Sequence, residues 1–232
     1  MYSQILLNGL MLGAIYACIA VGFSLVWGVL NVINMIHGAF IILGGYITFF
    51  AWLHFKIHPF MMILPVAVLM FGLGYILQRG MINKVISKPV LTTLTLTFGL
   101  EMILYNAMNL VFSATPRRIA LDMGSLKLGE LLLSVDRIAS MVLALTLTGL
   151  LYLVLRTSKI GRAIVAVRMD RDAASLMGIN VKEIYAITFG IGAFMAGACG
   201  ALVAVVFPIS TSLTGVFLGK AFVICVIGGL GT

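Results

Sequence analysis

Long runs of apolar residues, each of bilayer length, limit what this chain can become more than any other feature. About 18–20 apolar residues suffice to cross a hydrocarbon core as a helix. Runs of that kind occupy residues 5–29, 35–54, 60–78, 89–112, 137–156 and 183–206, and a further one begins at 216–227. In lipid every backbone polar group needs an internal partner, which leaves helices or closed barrels. Barrel strands alternate polar and apolar residues, and these runs do not. The expected fold is an all-α polytopic membrane protein with six full transmembrane helices and a partial seventh. It forms a single domain over 1–232, with no soluble domain, linker or low-complexity tract. A soluble domain is about a quarter charged; this chain is 9% charged. The first run is not expected to be a removable signal, because the first basic residue is Lys56 and a positive n-region is missing.

The net charge of +8 does not make a nucleic-acid surface. That would need a basic face interleaved with exposed aromatics, and the aromatics here lie in or beside apolar runs. The basic residues instead gather in two loops. Residues 79–88 and 156–182 hold nine Lys and Arg, whereas 55–59 and 113–136 hold four. By the positive-inside rule the first pair is cytoplasmic and the N-terminus external. The 113–136 loop carries mixed charge, and its SLKLGELLLSVD stretch fits a hairpin or a short surface helix equally well.

Residues 156–183 stand apart from the rest as a long hydrophilic segment of mainly positive charge. Asp170 is placed to cap a short helix, Asp172 lies in its first turn where the helix dipole favours an acid, and Gly178 suits a left-handed end. The expected helix, 171–177, carries Ala173, Ala174, Leu176 and Met177. It is too short to stand alone in water, so it needs a surface to dock on.

Several residues within the runs are unusual. Asn31, Asn34 and His37 recur every three residues, so they share a helix face or mark a break; polar groups there are expensive unless covered by protein or facing a cavity. Glu101 lies near the middle of its run, either functional or tying two helices together. Pro89 suits the first turn of the fourth span. Gly9 and Gly13, with Ala14 and Cys18, make a small face on the first span. Gly192, Ala196 and Gly200, alongside Ala193, Gly197 and Ala201, make another on the sixth, suited to close helix packing. Tyr16 and Trp27 read first as packing and interface anchors. Cys18, Cys199 and Cys225 lack metal-ligand or disulfide spacing. His54 and His58 lie at a membrane edge, and no metal site is expected. There is no H-E-x-x-H, G-x-S-x-G or P-loop pattern, so the chain is not expected to be an enzyme.

Three collinear motifs resemble one family. Asp172-Ala173-Ala174 followed by Gly178 resembles the EAA loop of ABC import permeases, and the wider string GRAIVAVRMDRDAASLMGIN resembles its form in the branched-chain amino acid permeases of the hydrophobic amino acid uptake family. Gly13, Tyr16, Ala17, Ala20, Gly22, Gly28, Asn34, His37 and Gly38 match that family's N-terminal signature, and GKAFVICVIGGLGT resembles its later Gly-rich segment. The chain looks most like the shorter permease of the leucine, isoleucine and valine branch. Family members continue past the GGLG segment, so the C-terminal part is expected to be missing here.

The resemblance implies a permease subunit of an ATP-driven importer in a bacterial inner membrane. Its partners would be a second permease, identical or homologous, two cytoplasmic ATPases that hold the ATP and Mg²⁺, a periplasmic or lipid-anchored substrate-binding protein, and membrane lipid; no cofactor is expected on this chain. The 157–182 loop would be the EAA-like coupling element, with Gly161, Arg162, Asp170, Asp172, Ala173, Ala174, Leu176, Met177 and Gly178 serving the ATPase. Tyr16, Asn31, Asn34, His37 and Glu101 are the candidates for lining a translocation path. The rival readings are a permease for urea or short amides and a proton-coupled secondary transporter working through Glu101.

Overall fold

The computed structural model describes residues 2–121, 123–128 and 131–229. Its helices are α1 (Tyr2–Leu30), α2 (His37–Phe55), α3 (Ile63–Gly80), α4 (Val90–Phe112), α5 (Val135–Thr157), α6 (Lys159–Met169), α7 (Arg171–Leu176), α8 (Val181–Val206) and α9 (Thr214–Ile227), with strands β1 (Ser125–Leu128) and β2 (Leu131–Ser134) between α4 and α5. Among the described residues, six helices are long and apolar enough to cross a membrane, and the segment ending in α9 is a shorter apolar helix. The ambiguous stretch of the 113–136 loop is an antiparallel hairpin pairing Ser125 with Ser134 and Leu128 with Leu131. Asp122 and Glu130, two of the acidic residues in that mixed-charge loop, and the last three residues of the GGLGT terminus lie outside the described residues.

Helix α8 is the hub. It is buried along nearly its whole length and packs on α1, α2, α3 and α5. Lipid tails are as apolar as leucine, so helices in a bilayer associate through close packing rather than through a hydrophobic drive. Small residues permit that approach. A Cβ added at Gly200 would fall 2.1 Å from the Ile41 carbonyl oxygen of α2, and one at Gly192 would fall 2.4 Å from Val26 Cγ2 of α1. Gly44 of α2 meets the Gly197 carbonyl in the same way, at 2.7 Å. Ala196 is fully buried in the same packing. The Gly9–Gly13 face of α1 behaves otherwise: a Cβ at either glycine meets nothing within 4 Å. Small residues license close approach without naming the neighbour, and among the described residues nothing covers that face.

The two basic loops lie at one end of the molecule. Asn83 Nδ2 donates to the Lys182 carbonyl (3.1 Å) and Gln78 Nε2 to Asn83 Oδ1 (3.0 Å). Tyr75 donates its hydroxyl proton to Glu183, and Arg79 donates to Tyr75 Oη (2.8 Å) and lies 3.9 Å from Glu183 Oε2. The opposite end holds the hairpin, the Arg117–Ile209 bridge and the start of α1, where Arg137 donates to Asn8 (3.1 Å).

Two expectations need correction. Residues 156–182 are not a loop with one short helix, because α6 precedes α7. Ser158 caps α6 by accepting from the Gly161 N–H (2.8 Å), and Gly161, Ile164 and Val167 turn inward at the spacing of an amphipathic helix. Between them stand Arg162 but also Ala163, Val165 and Ala166, so the period had little polar contrast to announce it. Pro89 sits at the N-cap of α4, one residue before the helix rather than inside its first turn.

Candidate functional site

The knob at the basic end is built by local chemistry. Asp170 takes an extended backbone and its Oδ1 accepts from the N–H groups of Asp172 (2.8 Å) and Ala173 (3.0 Å). Those two bonds, with Arg171 beside it, hold the Asp170 carboxyl below its ordinary pKa. The helix stops after Leu176, with Met177 at its C-cap. Gly178 adopts φ +84°, a region that L side chains rarely enter. The Gly178 and Ile179 N–H groups then close on the Ser175 (3.0 Å) and Ala174 (3.1 Å) carbonyls, satisfying groups the helix end would leave open. Asn180 starts α8 by accepting from the Glu183 N–H (3.2 Å). Hub and knob are therefore separated by a four-residue turn, Met177–Asn180.

Burial divides the knob. Ala174 is buried against its own chain, whereas Leu176 is 89% and Met177 84% exposed; Ala173 and Asp172 also face outward. Two other residues expected to serve a partner have different surroundings. Gly161 is buried, and a Cβ there would fall 2.2 Å from the Leu155 carbonyl oxygen, so it makes the tight turn from α5 into α6. Arg162 is exposed and donates to the Thr157 carbonyl (3.1 Å).

The polar triplet resolves into a break. Helix α1 ends at Leu30, and Asn31 takes φ +53°, which asparagine tolerates better than most residues. Residues 31–36 are non-helical, and α2 starts at His37. This segment folds back beside α1. The buried His37 Nε2 lies 3.1 Å from the Ile19 carbonyl, about three turns and ~16 Å back from the end of α1. Thr97 of α4 donates to the Ile33 carbonyl (2.9 Å). Irregular backbone at membrane depth needs such satisfaction. Asn34 and His37 come together inside the break, while Asn31 is exposed at its foot. The Asn34 side-chain amide and His37 Nδ1 are buried without a hydrogen-bond partner among the described residues. Asn31 also lines a cavity of about 820 Å³ at the basic end, along with Lys88, Asp170, Arg171 and Lys182.

Glu101 lies one turn beyond Thr97 on the stripe of α4 that includes the buried Thr93, Thr97 and Met108. It is half-buried and, among the described residues, has no partner, so it does not tie two helices together. Tyr16 stands apart from the break. Its hydroxyl accepts from Lys220 Nζ of α9 (2.8 Å), whose ammonium lies 4.5 Å from the tyrosine ring.

Sequence reasoning passed over Lys220, although a lysine within an apolar run was signal enough to notice it. It also missed the Tyr75–Arg79–Glu183 cluster, whose members are up to 108 positions apart; no local pattern announces that pairing.

A family model described as "Branched-chain amino acid transport system / permease component" matches residues 5–232. The high-affinity branched-chain amino acid transport system permease protein BraD of Pseudomonas aeruginosa is 30% identical over 246 residues, covering 100% of this chain and 80% of that protein. The permease proteins LivH of Salmonella typhimurium and Escherichia coli K12, described in the same words, are each 29% identical over 250 residues, with the same coverage. No solved structure matches the chain.

Proposed function

The chain belongs to the family of permease components of branched-chain amino acid transport systems, and on that basis we propose how it couples an outside energy source to the passage of its substrate. It is a multi-pass membrane permease subunit and not an enzyme. In this reading it carries branched-chain amino acids inward across a bacterial inner membrane, with the basic loops cytoplasmic and the N-terminus outside. The nine-to-four bias of Lys and Arg supports that orientation.

The observation that carries the reading is the knob. A six-residue helix with one buried alanine, closed by two almost fully exposed apolar side chains at its last residue Leu176 and its C-cap Met177, is a poor ornament for a solvated loop and a good plug for a groove. Its partner is an ATPase subunit, one beneath each of two permeases, where ATP and Mg²⁺ bind. When the ATPases close, the knob moves as a rigid piece, and the four-residue turn hands that motion to α8. Because α8 packs on α1, α2 and α3, and its start is bonded to the 79–88 loop, a shift of the hub reorients helices on several sides at once. Domain 1–232 acts as one unit in this scheme, with 157–182 as its coupling element.

The path follows the broken segment. Asn34 and His37 offer buried, unpartnered polar atoms. Glu101 offers a carboxylate to the substrate ammonium, and Leu, Phe and Met side chains suit an aliphatic cargo. A binding protein delivers that cargo at the hairpin end. Co-expression with two ATPases, a second permease and the binding protein, followed by reconstitution in proteoliposomes, tests the reading. Uptake of L-leucine is expected to require ATP and to survive a protonophore. Uptake that ignores ATP and collapses with the proton gradient would instead identify a secondary transporter, and preference for urea or acetamide would reassign the substrate.

A further inference from the structure

Among the described residues, Glu101 and Lys220 are the only Asp, Glu, Lys or Arg side chains more than two residues inside an end of the apolar helices α1–α5, α8 and α9. Glu101 stands at the centre of α4. Lys220 is exposed on α9 and is bonded to Tyr16, the middle residue of the long helix α1. The middle of a bilayer-spanning helix is ~15 Å from the headgroups, farther than a four-carbon stem reaches, so a lysine at that level does not escape the apolar layer by snorkelling. An ammonium has three donors. Tyr16 takes one, and no carboxylate among the described residues pairs with Lys220. The side chain opens onto an apolar hollow of about 430 Å³ between α1 and α9, lined by Tyr16, Gly215, Val216, Gly219 and Val223. Nothing stands within 4 Å of where a Cβ on Gly215 or Gly219 would lie. A methionine at position 220 would fill this helix face without burying a charge, so packing alone does not account for the lysine.

We propose that Lys220 receives the α-carboxylate of the amino acid during translocation, with Tyr16 as the positioning residue that aims the ammonium. This rests on the importer reading above and completes it. A branched-chain amino acid carries one anion, and among the described residues Lys220 is the one cation well inside an apolar helix to meet it. Glu101 lies on α4, which does not pack on α9, so the two charges would serve different points of the passage. In a site of low dielectric, a charge-assisted hydrogen bond from Lys220 to the carboxylate is strong. The glycines beside it leave room for the substrate.

The test is L-leucine uptake by the reconstituted complex, measured against concentration and normalised to assembled complex. Lys220→Gln is expected to lower Vmax/KM at least tenfold, Lys220→Arg to recover most of the loss, and Tyr16→Phe to lower it several-fold with the thermal unfolding midpoint unmoved. An unchanged Vmax/KM in Lys220→Gln, with only the yield reduced, overturns the proposal and returns the pair to a structural role. Should Lys220→Gln fail to assemble, Tyr16→Phe decides: a several-fold fall supports the proposal and unchanged uptake overturns it. Leucine uptake absent from the wild-type complex sinks the importer reading as well, whereas uptake present in the wild type and unaltered in the variants sinks this proposal alone.

Discussion

Helices α8 and α4 are both apolar and both long enough to cross a bilayer, yet one is enclosed by its own chain and the other stands at the rim. Their sequences explain the difference. Helix α8 is rich in Gly and Ala at four-residue spacing, so backbones come into contact around it. Helix α4 carries Leu91, Phe98, Met102, Ile103, Leu110 and Val111 on an open surface, and a Cβ at its one glycine, Gly99, would meet nothing within 4 Å. Apolarity puts a helix in the membrane, and side-chain size decides whether its neighbours are protein or something else. In the mechanism proposed above the contrast extends to function. The enclosed helix is joined to the knob by a short turn and suits the transmission of force. The rim helix bears a lone carboxylate and suits contact with whatever passes.

The sharpest way to break the contrast is to exchange sizes. Gly200→Leu drives a side chain into the Ile41 carbonyl and is expected to destabilise by more than the about 1–3 kcal/mol typical of overpacking, whereas Gly99→Leu in α4 is expected within about 0.5 kcal/mol of wild type. Thermal unfolding in detergent checks both. Next in size, Gly178→Arg forces a side chain into the left-handed region, at a cost of about 1–2 kcal/mol, and is expected to abolish co-purification with the ATPases while membrane insertion persists. Glu101→Gln is expected to alter the KM or Vmax of leucine uptake severalfold with stability within about 0.5 kcal/mol; unaltered kinetics would make the rim helix inert. The smallest effect concerns pH. The carboxyl of Asp170 is held below its ordinary pKa by the α7 amides, so the cap is intact above the unfolded-state value and is lost as pH falls through the folded one. Protection of the α7 amides from hydrogen exchange is expected to be flat through neutral pH and to fade only below the usual carboxylate range, and Asp170→Asn should flatten that acid limb.

Much of this was legible in the sequence, for identifiable reasons. The spans were, because bilayer thickness sets a length that short loops rarely imitate. The knob was, because Asp170 and Gly178 are local signals whose meaning depends on a few neighbouring residues. The break was legible as polarity at Asn31, Asn34 and His37, but its shape was not. Whether three residues share a face depends on a helix continuing, and the left-handed turn at Asn31 ends it. Helix α6 was hidden because Ala163, Val165 and Ala166 stand between its inward residues, so its apolar stripe has little contrast with the other face. The free Gly9–Gly13 face and the Tyr75–Glu183 bond depend on which distant segments meet, and no local pattern encodes that.

The central claim is that the exposed tip of α7 is the handle by which ATPases move the enclosed helix. Its most direct test is co-purification of the ATPase subunit with the Leu176→Asp, Met177→Asp double variant, both sites being on the exposed side of the knob. The ATPase is expected to be lost while the permease stays folded in the membrane. Full retention of the ATPase, with ATP-driven leucine uptake intact, would contradict the claim.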